Sequence, residues 1–476
     1  SFTNTHFNYI PTYTGPGHAS VYTGTTPATH GIIANHWYDR ASGEVVYCVD
    51  NDGKAGPKRL QSSTMTDELK RSLGDSAKVI SISIKDRGAI LPGGQQPDAA
   101  YWYDYDSGKW KTNDHYRAGL PDWVVEFHAR NLPDAYLSHP WETIMPLEMY
   151  TASRADDSPH EAPFVEGAKP VFPYDVPALF EKKGYGLLPY IPAGNSFTAE
   201  FAKAAVLGEQ LGQDGHTDFL AVSFSSTDKI GHQFGPMAIE LQDTYLRFDR
   251  DLEALLNFLD AEVGKGEYLL FLTSDHGVVE VPGYRMEEGI SGGYLSKPDL
   301  TAALKTFLEK ELGGSGWIDN ISNHQVFLNT DAMADAGVNA DDVAAQVAAR
   351  IQTIEGVAEA YPASAFATLP ESQQGQQVFR GFRADMSGNV AYVLEPGWLE
   401  SEGRQGTSHG SGYAYDTHAP LLWFGWEVPQ GENDEYVTIT RIAPTVSRLI
   451  NIGLPDGCQD ASLEFRAGSS EEVASE

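Results

Sequence analysis

The segment DFLAVSF at residues 218–224 is a short apolar run that ends in the polar residues SSTD at 225–228. Three further runs have a similar form: KVISISI at 78–84 is followed by KDR, YLLFL at 268–272 is followed by TSDHG, and PLLWFG at 420–425 follows a polar loop. Runs of this length and composition predict buried strands. In open α/β sheets, functional groups lie just past strand ends. The pattern therefore predicts an α/β fold with a site at one edge of a central sheet.

A helix is predicted between the runs at 218–224 and 268–272. Its apolar residues recur at the spacing of one core-facing helix face: Leu241, Tyr245, Phe248, Leu252, Leu255, Leu256 and Leu259. A strand, a helix and a second strand in this order favour parallel strands. The central sheet is therefore expected to be mostly parallel.

Two stretches are predicted to be insertions into one catalytic domain that covers residues 1–465. Residues from about 88 to 175 are rich in Tyr, Trp, Pro and Asp, as in YWYDY at 101–105, and are expected to form a loop-rich cap. Residues from about 318 to 395 alternate strand and helix patterns, which predicts a small α+β subdomain. The tail 466–476, which contains GSSEE, is expected to be disordered.

The composition excludes several classes of protein. The chain has 476 residues, 41% of them hydrophobic, which is ample for a buried core. It has 33 Lys plus Arg against 66 Asp plus Glu, a formal net charge of −33, which argues against a nucleic-acid or anionic-membrane surface. No apolar run approaches the roughly 18 residues of a membrane span. The two cysteines, Cys48 and Cys458, are expected to be free thiols rather than a single bridge.

Two Asp and His pairs are candidate metal ligands. Asp228 and His232 are four residues apart at a strand end, and Asp275 and His276 are adjacent at another. Adjacent residues of an extended strand point to opposite faces, so the second pair can share one metal only where the chain turns, which Gly277 permits. The alternative for each pair, taken alone, is a hydrogen-bonded loop pair without a metal.

A site for two zinc ions needs a third histidine besides His232 and His276, and the sequence has two candidates for it. His409 lies in the glycine-rich loop GTSHGSG at 406–412, and His418 lies two residues before Pro420. Either histidine could be structural. Two Asp and three His on strand ends of one sheet are nevertheless the ligands that a two-zinc site needs.

The segment PTYTGPGHAS at residues 11–20 supplies a candidate nucleophile. Pro16 suits the start of a helix, so Thr14 is expected at a helix N-terminus, where free backbone N–H groups and the helix dipole favour a phosphoryl group. A threonine hydroxyl is a weak nucleophile and needs a metal or base beside it. The alternative is that Thr14 is only a helix cap.

Lys85 and Arg87 follow the strand at 78–84 and are two residues apart. Arg can bind phosphate oxygens with its fork of donors, and Lys can act as a point charge. The pair is therefore a candidate clamp for a dianionic phosphate. The alternative is a pair of surface ion pairs with the many carboxylates of this chain.

Two longer motifs, TGPGHAS at 14–20 and KDRGA at 85–89, extend these candidates. Together with the Asp and His motifs, they make the chain resemble the alkaline phosphatase superfamily. More narrowly, it resembles the phosphate-irrepressible periplasmic alkaline phosphatases that use a threonine nucleophile and are related to type I phosphodiesterases and nucleotide pyrophosphatases. The resemblance runs from NTHFNY at 4–9 to APT at 443–445. It implies a central, mostly parallel sheet with helices on both faces.

The resemblance also implies a ligand set for two zinc ions. Thr14 is then the nucleophile and a ligand of one zinc ion, which is shared with Asp275 and His276. The other zinc ion is held by Asp228, His232 and His409. His409 is preferred to His418 because the family ligand lies in a Ser-His-Gly loop well before the strand.

Phosphate binding is implied for four further residues. Asn35, which follows Thr14 by 21 residues, matches the family asparagine that binds a phosphate oxygen. The N–H of Gly15 is expected to bind a phosphate oxygen as well. Lys85 and Arg87 match the pair that grips the phosphoryl group of a monoester.

In one feature this sequence departs from the family. The family has a further aspartate zinc ligand at the end of its first core strand, upstream of the segment that matches Ser1. This chain is therefore expected to lack that strand and that ligand, and to be a fragment of an active enzyme.

The implied activity is metal-dependent hydrolysis of phosphate monoesters through a threonyl-phosphate. The nearest rival is a phosphodiesterase or nucleotide pyrophosphatase on the same scaffold, but those relatives typically lack the Lys and Arg pair. A sulfatase is disfavoured because Thr14 is followed by GPGH rather than by the sulfatase motif. A rival of another class is an inactive fragment that binds metal or phosphate.

The resemblance implies a periplasmic or secreted enzyme, and the acidic composition fits such a protein. The expected partners are small phosphate esters, and a monomer is favoured. The aromatic residues at 101–105 are expected to lie near the leaving group, whose identity the sequence does not specify.

Overall fold

The computed structural model describes residues 1–426 and 428–465. The disorder that we predict for 466–476 lies outside these residues. Among the described residues, no helix is both long enough and apolar enough to cross a membrane. Cys48 and Cys458 are free thiols, which confirms the prediction for the two cysteines.

The first sheet has four strands in the order Lys109–Lys111, Ala99–Asp104, Val79–Ser83 and Phe219–Ser223. The last three strands are parallel, and only the first is antiparallel to its neighbour. All five residues of Val79–Ser83 are buried, because helices cover both faces of the sheet. Helix Ala193–Glu209 packs on one face and helix Asp86–Gly93 on the other.

Ala99–Asp104 corrects the expectation of a loop-rich cap from about residue 88. The segment is a strand of the first sheet, and Tyr101 and Tyr103 are fully buried in it. The strand was not predicted because both of its faces are apolar. Its sequence therefore lacks the alternation of polar and apolar residues that indicates a strand. Helices Asp122–Ala129 and Leu132–Leu137 follow, and residues 138–173 are largely irregular. The division into a cap, a subdomain and a catalytic domain stays a prediction.

The second sheet has the strand order Leu269–Thr273, His418–Gly425, Phe2–His6 and Val437–Thr438. The first three strands are antiparallel, and the last pair is parallel. The strands on either side of helix Ile239–Leu259 are therefore not paired with each other. They are edge strands of two separate sheets among the described residues, which differs from the single sheet that we expect from the sequence.

The third sheet, which is antiparallel, has the order Ile318–Ser322, Gln325–Leu328, Val390–Leu394 and Val357–Pro362. Its core includes apolar residues of helices Lys297–Leu312 and Ala340–Ile351. Three two-stranded ribbons complete the strands: His36–Asp39 with Glu44–Tyr47, Asp50–Asn51 with Lys54–Ala55, and Gly293–Leu295 with Trp398–Glu400.

The remaining helices connect and cover these sheets. They are Thr14–Thr23, Pro27–His30, Met65–Leu73, Val176–Lys183, Ser226–Phe234, Pro282–Glu287, Thr330–Asp335, Gln373–Gly381, Ala414–Thr417 and Ile442–Leu449. Helix Ile239–Leu259 is the one predicted from its apolar spacing. Its Leu241 and Leu255 are buried, but Tyr245 is exposed.

Candidate active site

The candidate ligands come from three chain segments that follow strands or precede one. Helix Ser226–Phe234 begins shortly after strand Phe219–Ser223 and carries Asp228 and His232 one turn apart. Asp275 and His276 follow strand Leu269–Thr273, and His409 precedes strand His418–Gly425. The fold brings all five side chains into one cluster.

Asp228 is the centre of this cluster. Its Oδ1 lies 3.3 Å from His232 Nε2, 3.6 Å from His276 Nε2 and 3.7 Å from His409 Nε2. Asp275 joins the cluster through its Oδ2, which is 3.5 Å from His276 Nε2. Asp228, His276 and His409 offer donor atoms within 4.8 Å of one another and could hold a metal ion.

The opposite ring nitrogen of each histidine is held by a backbone carbonyl. His232 Nδ1 lies 2.8 Å from Thr407 O, and His409 Nδ1 lies 2.7 Å from Thr12 O. His276 Nδ1 lies 2.9 Å from the carbonyl of Gly277. A carbonyl can only accept, so each Nδ1 donates and carries a hydrogen, and the neutral form of each ring has none on Nε2. This is the tautomer that metal binding requires.

The charges of the cluster favour ionised carboxylates. Burial alone would raise the pKa of Asp228, but Lys85 and His232 hold that pKa well below its usual range. Burial would also raise the pKa of Asp275, and His276 and His18 lower it. Burial, reinforced by His276, keeps the pKa of His409 well below its usual value, which leaves its Nε2 unprotonated.

Thr14 is the first residue of helix Thr14–Thr23 and is only 1% exposed. The helix is capped at Tyr13 without any side-chain hydrogen bond, so Thr14 is not a capping residue. Its Oγ1 lies 3.5 Å from His276 Nε2 instead. Gly17, on the first turns of the helix, allows this approach, since a Cβ there would lie 2.1 Å from the carbonyl oxygen of Asp275.

Of the four candidate phosphate-binding residues, Gly15 follows Thr14 directly and Lys85 contacts Asp228. Asn35 Oδ1 accepts the N–H of Gly15 at 2.7 Å, so this N–H is already engaged and the Asn35 amide nitrogen remains as a donor. Lys85 is buried, and its Nζ is 2.5 Å from Asp228 Oδ2. Arg87 donates to the hydroxyl of Tyr47 at 3.3 Å.

Arg87 is a cation without a carboxylate partner. No carboxylate among the described residues lies within salt-bridge distance of its guanidinium, and its Nε is buried without a hydrogen-bond partner. A buried guanidinium N–H without a hydrogen bond lowers the stability of the folded protein unless a ligand accepts that hydrogen bond. Arg87 therefore has donor capacity that the described residues do not use.

His418 lies apart from the cluster. It is exposed, its Nε2 is 2.8 Å from the carbonyl of Thr3, and its ring stacks on His6 with the centroids 4.8 Å apart. Of the two histidines that the sequence offers, the fold brings His409 to Asp228.

Sequence reasoning did not single out His18 or Tyr47. His18 Nδ1 lies 2.9 Å from Thr14 O and 3.3 Å from Asp275 Oδ2, so this ring joins the candidate nucleophile to a candidate ligand. Its position one helical turn after Thr14 is a signal that could have found it. Tyr47 comes from a distant ribbon, and no local pattern marks it.

Residues 1–418 match the family described as type I phosphodiesterase / nucleotide pyrophosphatase. The chain belongs to this family. The alignment includes every candidate site residue, from Thr14 to His409, and the predicted relation to type I phosphodiesterases is thereby confirmed.

Three curated relatives align with nearly the whole chain. Alkaline phosphatase PhoV of Synechococcus elongatus is 42% identical over 95% of this chain and 84% of its own length. A protein of Myroides odoratus named calcium-transporting ATPase is 38% identical over 95% of this chain and 86% of its own. Alkaline phosphatase PafA of Elizabethkingia meningoseptica is 36% identical over 96% of this chain and 86% of its own.

A solved structure shows the same fold. The crystal structure of wild-type alkaline phosphatase PafA superimposes with a TM-score of 0.93 at 36% sequence identity, covering 97% of this chain and 91% of that one. The predicted α/β fold of the alkaline phosphatase type is therefore confirmed. The prediction that the chain is an enzyme of this type is confirmed by the named relatives as well.

Proposed function

We propose that this protein hydrolyses phosphate monoesters to an alcohol and inorganic phosphate, with Thr14 as the nucleophile of a metal-dependent reaction. The observation that carries the proposal is the convergence of three imidazole Nε2 atoms on Asp228 Oδ1, each with its Nδ1 held by a carbonyl. The hydroxyl of Thr14 lies beside this cluster. The alkaline phosphatases among the relatives support the same activity.

The proposed cofactor is a pair of zinc ions, since imidazole nitrogens and carboxylate oxygens are ligands that zinc prefers. Asp228, His232 and His409 would hold one ion. Asp275, His276 and Thr14 would hold the other. When bound, two zinc ions would lower the pKa of the nucleophile, stabilise the leaving oxygen and activate the water of the second step.

The chain itself supplies the nucleophile and its setting. Thr14 Oγ1 attacks phosphorus, the bond to the alcohol breaks, and a threonyl-phosphate forms. Water then attacks phosphorus, which releases inorganic phosphate and restores Thr14. Because Thr14 is the first residue of its helix, the transferred group lies at a helix N-terminus, where the helix dipole favours anions.

Three side chains are proposed to bind the equatorial oxygens of phosphate. Asn35 donates its amide nitrogen, since its Oδ1 is engaged by Gly15. Arg87 offers donors that no carboxylate occupies, and Lys85 adds a positive charge while it bridges to Asp228. Gly15 is proposed to act through Asn35, whose orientation it fixes, rather than as a direct ligand of phosphate. Preorganised donors of this kind stabilise the charge of the transition state.

A solved variant of the relative PafA supports this assignment. It replaces a threonine by serine and an asparagine, a lysine and an arginine by alanine. In that enzyme the first two positions are 21 residues apart and the last two are two residues apart. Thr14 and Asn35, and Lys85 and Arg87, have the same two spacings here.

A phosphodiesterase is the alternative that the family description keeps open. The test is the ratio of initial rates on phenyl phosphate and on diphenyl phosphate, with zinc added. A monoester carries one more negative charge than a diester, so cations at the site favour it. We expect a large monoester preference that falls in Lys85→Ala and Arg87→Ala. A diester preference, or a ratio unchanged by both substitutions, would overturn the assignment.

We further propose that the protein acts in the periplasm or outside the cell and as a monomer. The net charge of −33 suits a protein that must stay soluble at high concentration or in salt. Cell fractionation with a periplasmic marker tests the location, and light scattering tests the oligomeric state.

A further inference from the structure

Lys229 is a third cation beside the candidate site, after Lys85 and Arg87, and the proposed reaction does not use it. It follows Asp228 on helix Ser226–Phe234 and is partly buried. Its ammonium lies over the ring of Tyr190, 5.3 Å from the centroid. Among the described residues, no carboxylate lies within salt-bridge distance of it. The chain has 66 acidic residues, so a lysine without an ion pair at this position is notable.

The nearest candidate partner is already engaged. Asp228 gives its Oδ2 to Lys85 at 2.5 Å, and its Oδ1 faces three histidines. Lys229 therefore keeps its charge free of an ion pair. Burial lowers the pKa of Lys229, Asp228 raises it, and Arg87, another cation without a carboxylate partner, lowers it further. Two like charges held together in this way favour an anion between or beside them.

Two aromatic side chains, Tyr190 and Tyr105, lie in the electrostatic neighbourhood of these cations. Burial raises the pKa of Tyr105 to about 12. Tyr190 and Asp228 raise this pKa as well, and Arg87 lowers it. Tyr105 is 39% exposed, unlike the buried Tyr101 and Tyr103 before it, so only this end of the aromatic segment can meet a substrate.

We propose that Lys229 and Tyr190 form a subsite for a second anionic group, a phosphate or a carboxylate, on the leaving part of the substrate. The inference rests on the proposed phosphatase function and adds a substrate class to it. The favoured substrates are esters in which an anionic group lies close to the scissile phosphate. A lysine serves such a group as a point charge, while the scissile phosphoryl group belongs to Lys85 and Arg87.

The experiment compares wild-type protein with Lys229→Met on three substrates in the presence of zinc. Phenyl phosphate carries no second anionic group, pyrophosphate carries a phosphate, and 4-carboxyphenyl phosphate carries a carboxylate. Methionine keeps the unbranched stem over Tyr190 and removes the charge. We expect kcat/KM to fall about tenfold on a substrate whose anionic group is bound, and less than about twofold on phenyl phosphate. Lys229→Arg should restore most of the loss.

The matched control is Lys203→Met. Lys203 is paired with Glu200 on helix Ala193–Glu209, outside the site. A loss on pyrophosphate alone identifies phosphate as the bound group, and a loss on 4-carboxyphenyl phosphate alone identifies carboxylate. An equal loss on all three substrates, or no loss on any, overturns the subsite. Turnover of phenyl phosphate by wild-type protein tests the proposed function separately.

Discussion

Asp416 holds Ser411 through two hydrogen bonds, because its Oδ2 accepts from Ser411 N at 2.8 Å and from Ser411 Oγ at 2.6 Å. The same oxygen accepts from Gly410 N at 3.0 Å, which fixes the turn directly after His409. The backbone carbonyl of Asp416 also accepts from Gly277 N at 2.8 Å. One buried residue therefore links the loops that carry His409 and His276.

We expect Asp416→Asn to weaken zinc binding. The amide oxygen can still accept from the three donors, but a neutral group holds them more weakly than a carboxylate does, so the His409 loop is held less firmly. Changes in such supporting shells typically cost about 10- to 100-fold in metal affinity. Competition with a chromophoric chelator measures this affinity directly and does not depend on turnover.

Asp67→Asn is the matched control for that experiment. Asp67 is buried far from the site and also accepts two backbone N–H groups and one hydroxyl, from Gln95 and Thr64. Both variants should lose about 1–3 kcal/mol of unfolding free energy. Only Asp416→Asn should lose zinc affinity. Equal zinc affinity in both variants would show that Asp416 has a purely structural role.

His409 and His418, the two candidates for the third histidine ligand, are tested by a second pair of variants. His409→Ala should reduce bound zinc and activity together, since His409 Nε2 faces Asp228. His418→Ala should leave both close to wild type, because His418 is bonded to the carbonyl of Thr3 on the second sheet. Elemental analysis after dialysis counts the zinc. A loss of zinc in His418→Ala with none in His409→Ala would reverse the assignment.

Glu161 should make the folded protein less stable as the pH rises. Burial, followed by the charge of Glu240, raises the pKa of Glu161 from its usual value of 4.5 to about 9. Between these two pKa values the folded protein keeps a proton that the unfolded chain loses. The free energy of unfolding is therefore highest at acid pH and falls as the pH rises from 4.5 to about 9. The slope is at most about 1.4 kcal/mol per pH unit for one carboxyl.

Glu161→Gln removes this titration. Urea unfolding of metal-free protein at about pH 5, 7 and 9 should therefore show a shallower decline for the variant than for wild type. Parallel declines in the two proteins would mean that Glu161 titrates normally in the folded state.

Much of the fold could be predicted because strands with polar ends are local patterns. The runs at 78–84, 218–224, 268–272 and 420–425 all contain strands of the structure. Ala99–Asp104 escaped prediction because both of its faces are buried, so that its composition resembled an aromatic loop. The pairing of edge strands depends on contacts between distant segments, which the local sequence does not encode.

The candidate site was predictable as a set of residue types but not as a set of contacts. Asp228, His232 and Thr14 stand in short motifs with recognisable spacing. The ion pair of Lys85 with Asp228 joins residues 143 positions apart, and the Arg87 contact with Tyr47 joins helix Asp86–Gly93 to a separate ribbon. These contacts determine that Lys85 is paired with a carboxylate and that Arg87 is not. They join distant parts of the chain, so only the folded structure shows them.

The most direct measurement of the central claim is the detection of a phosphoryl group on Thr14. Zinc-loaded protein is mixed with phenyl phosphate, quenched rapidly in acid, digested, and analysed by mass spectrometry for the peptide that contains residues 11–20. We predict phosphate on Thr14 in wild-type protein, none in Thr14→Ala, and a turnover loss of at least about a thousandfold in that variant. Phosphate on another residue, or turnover near the wild-type rate in Thr14→Ala, would contradict it.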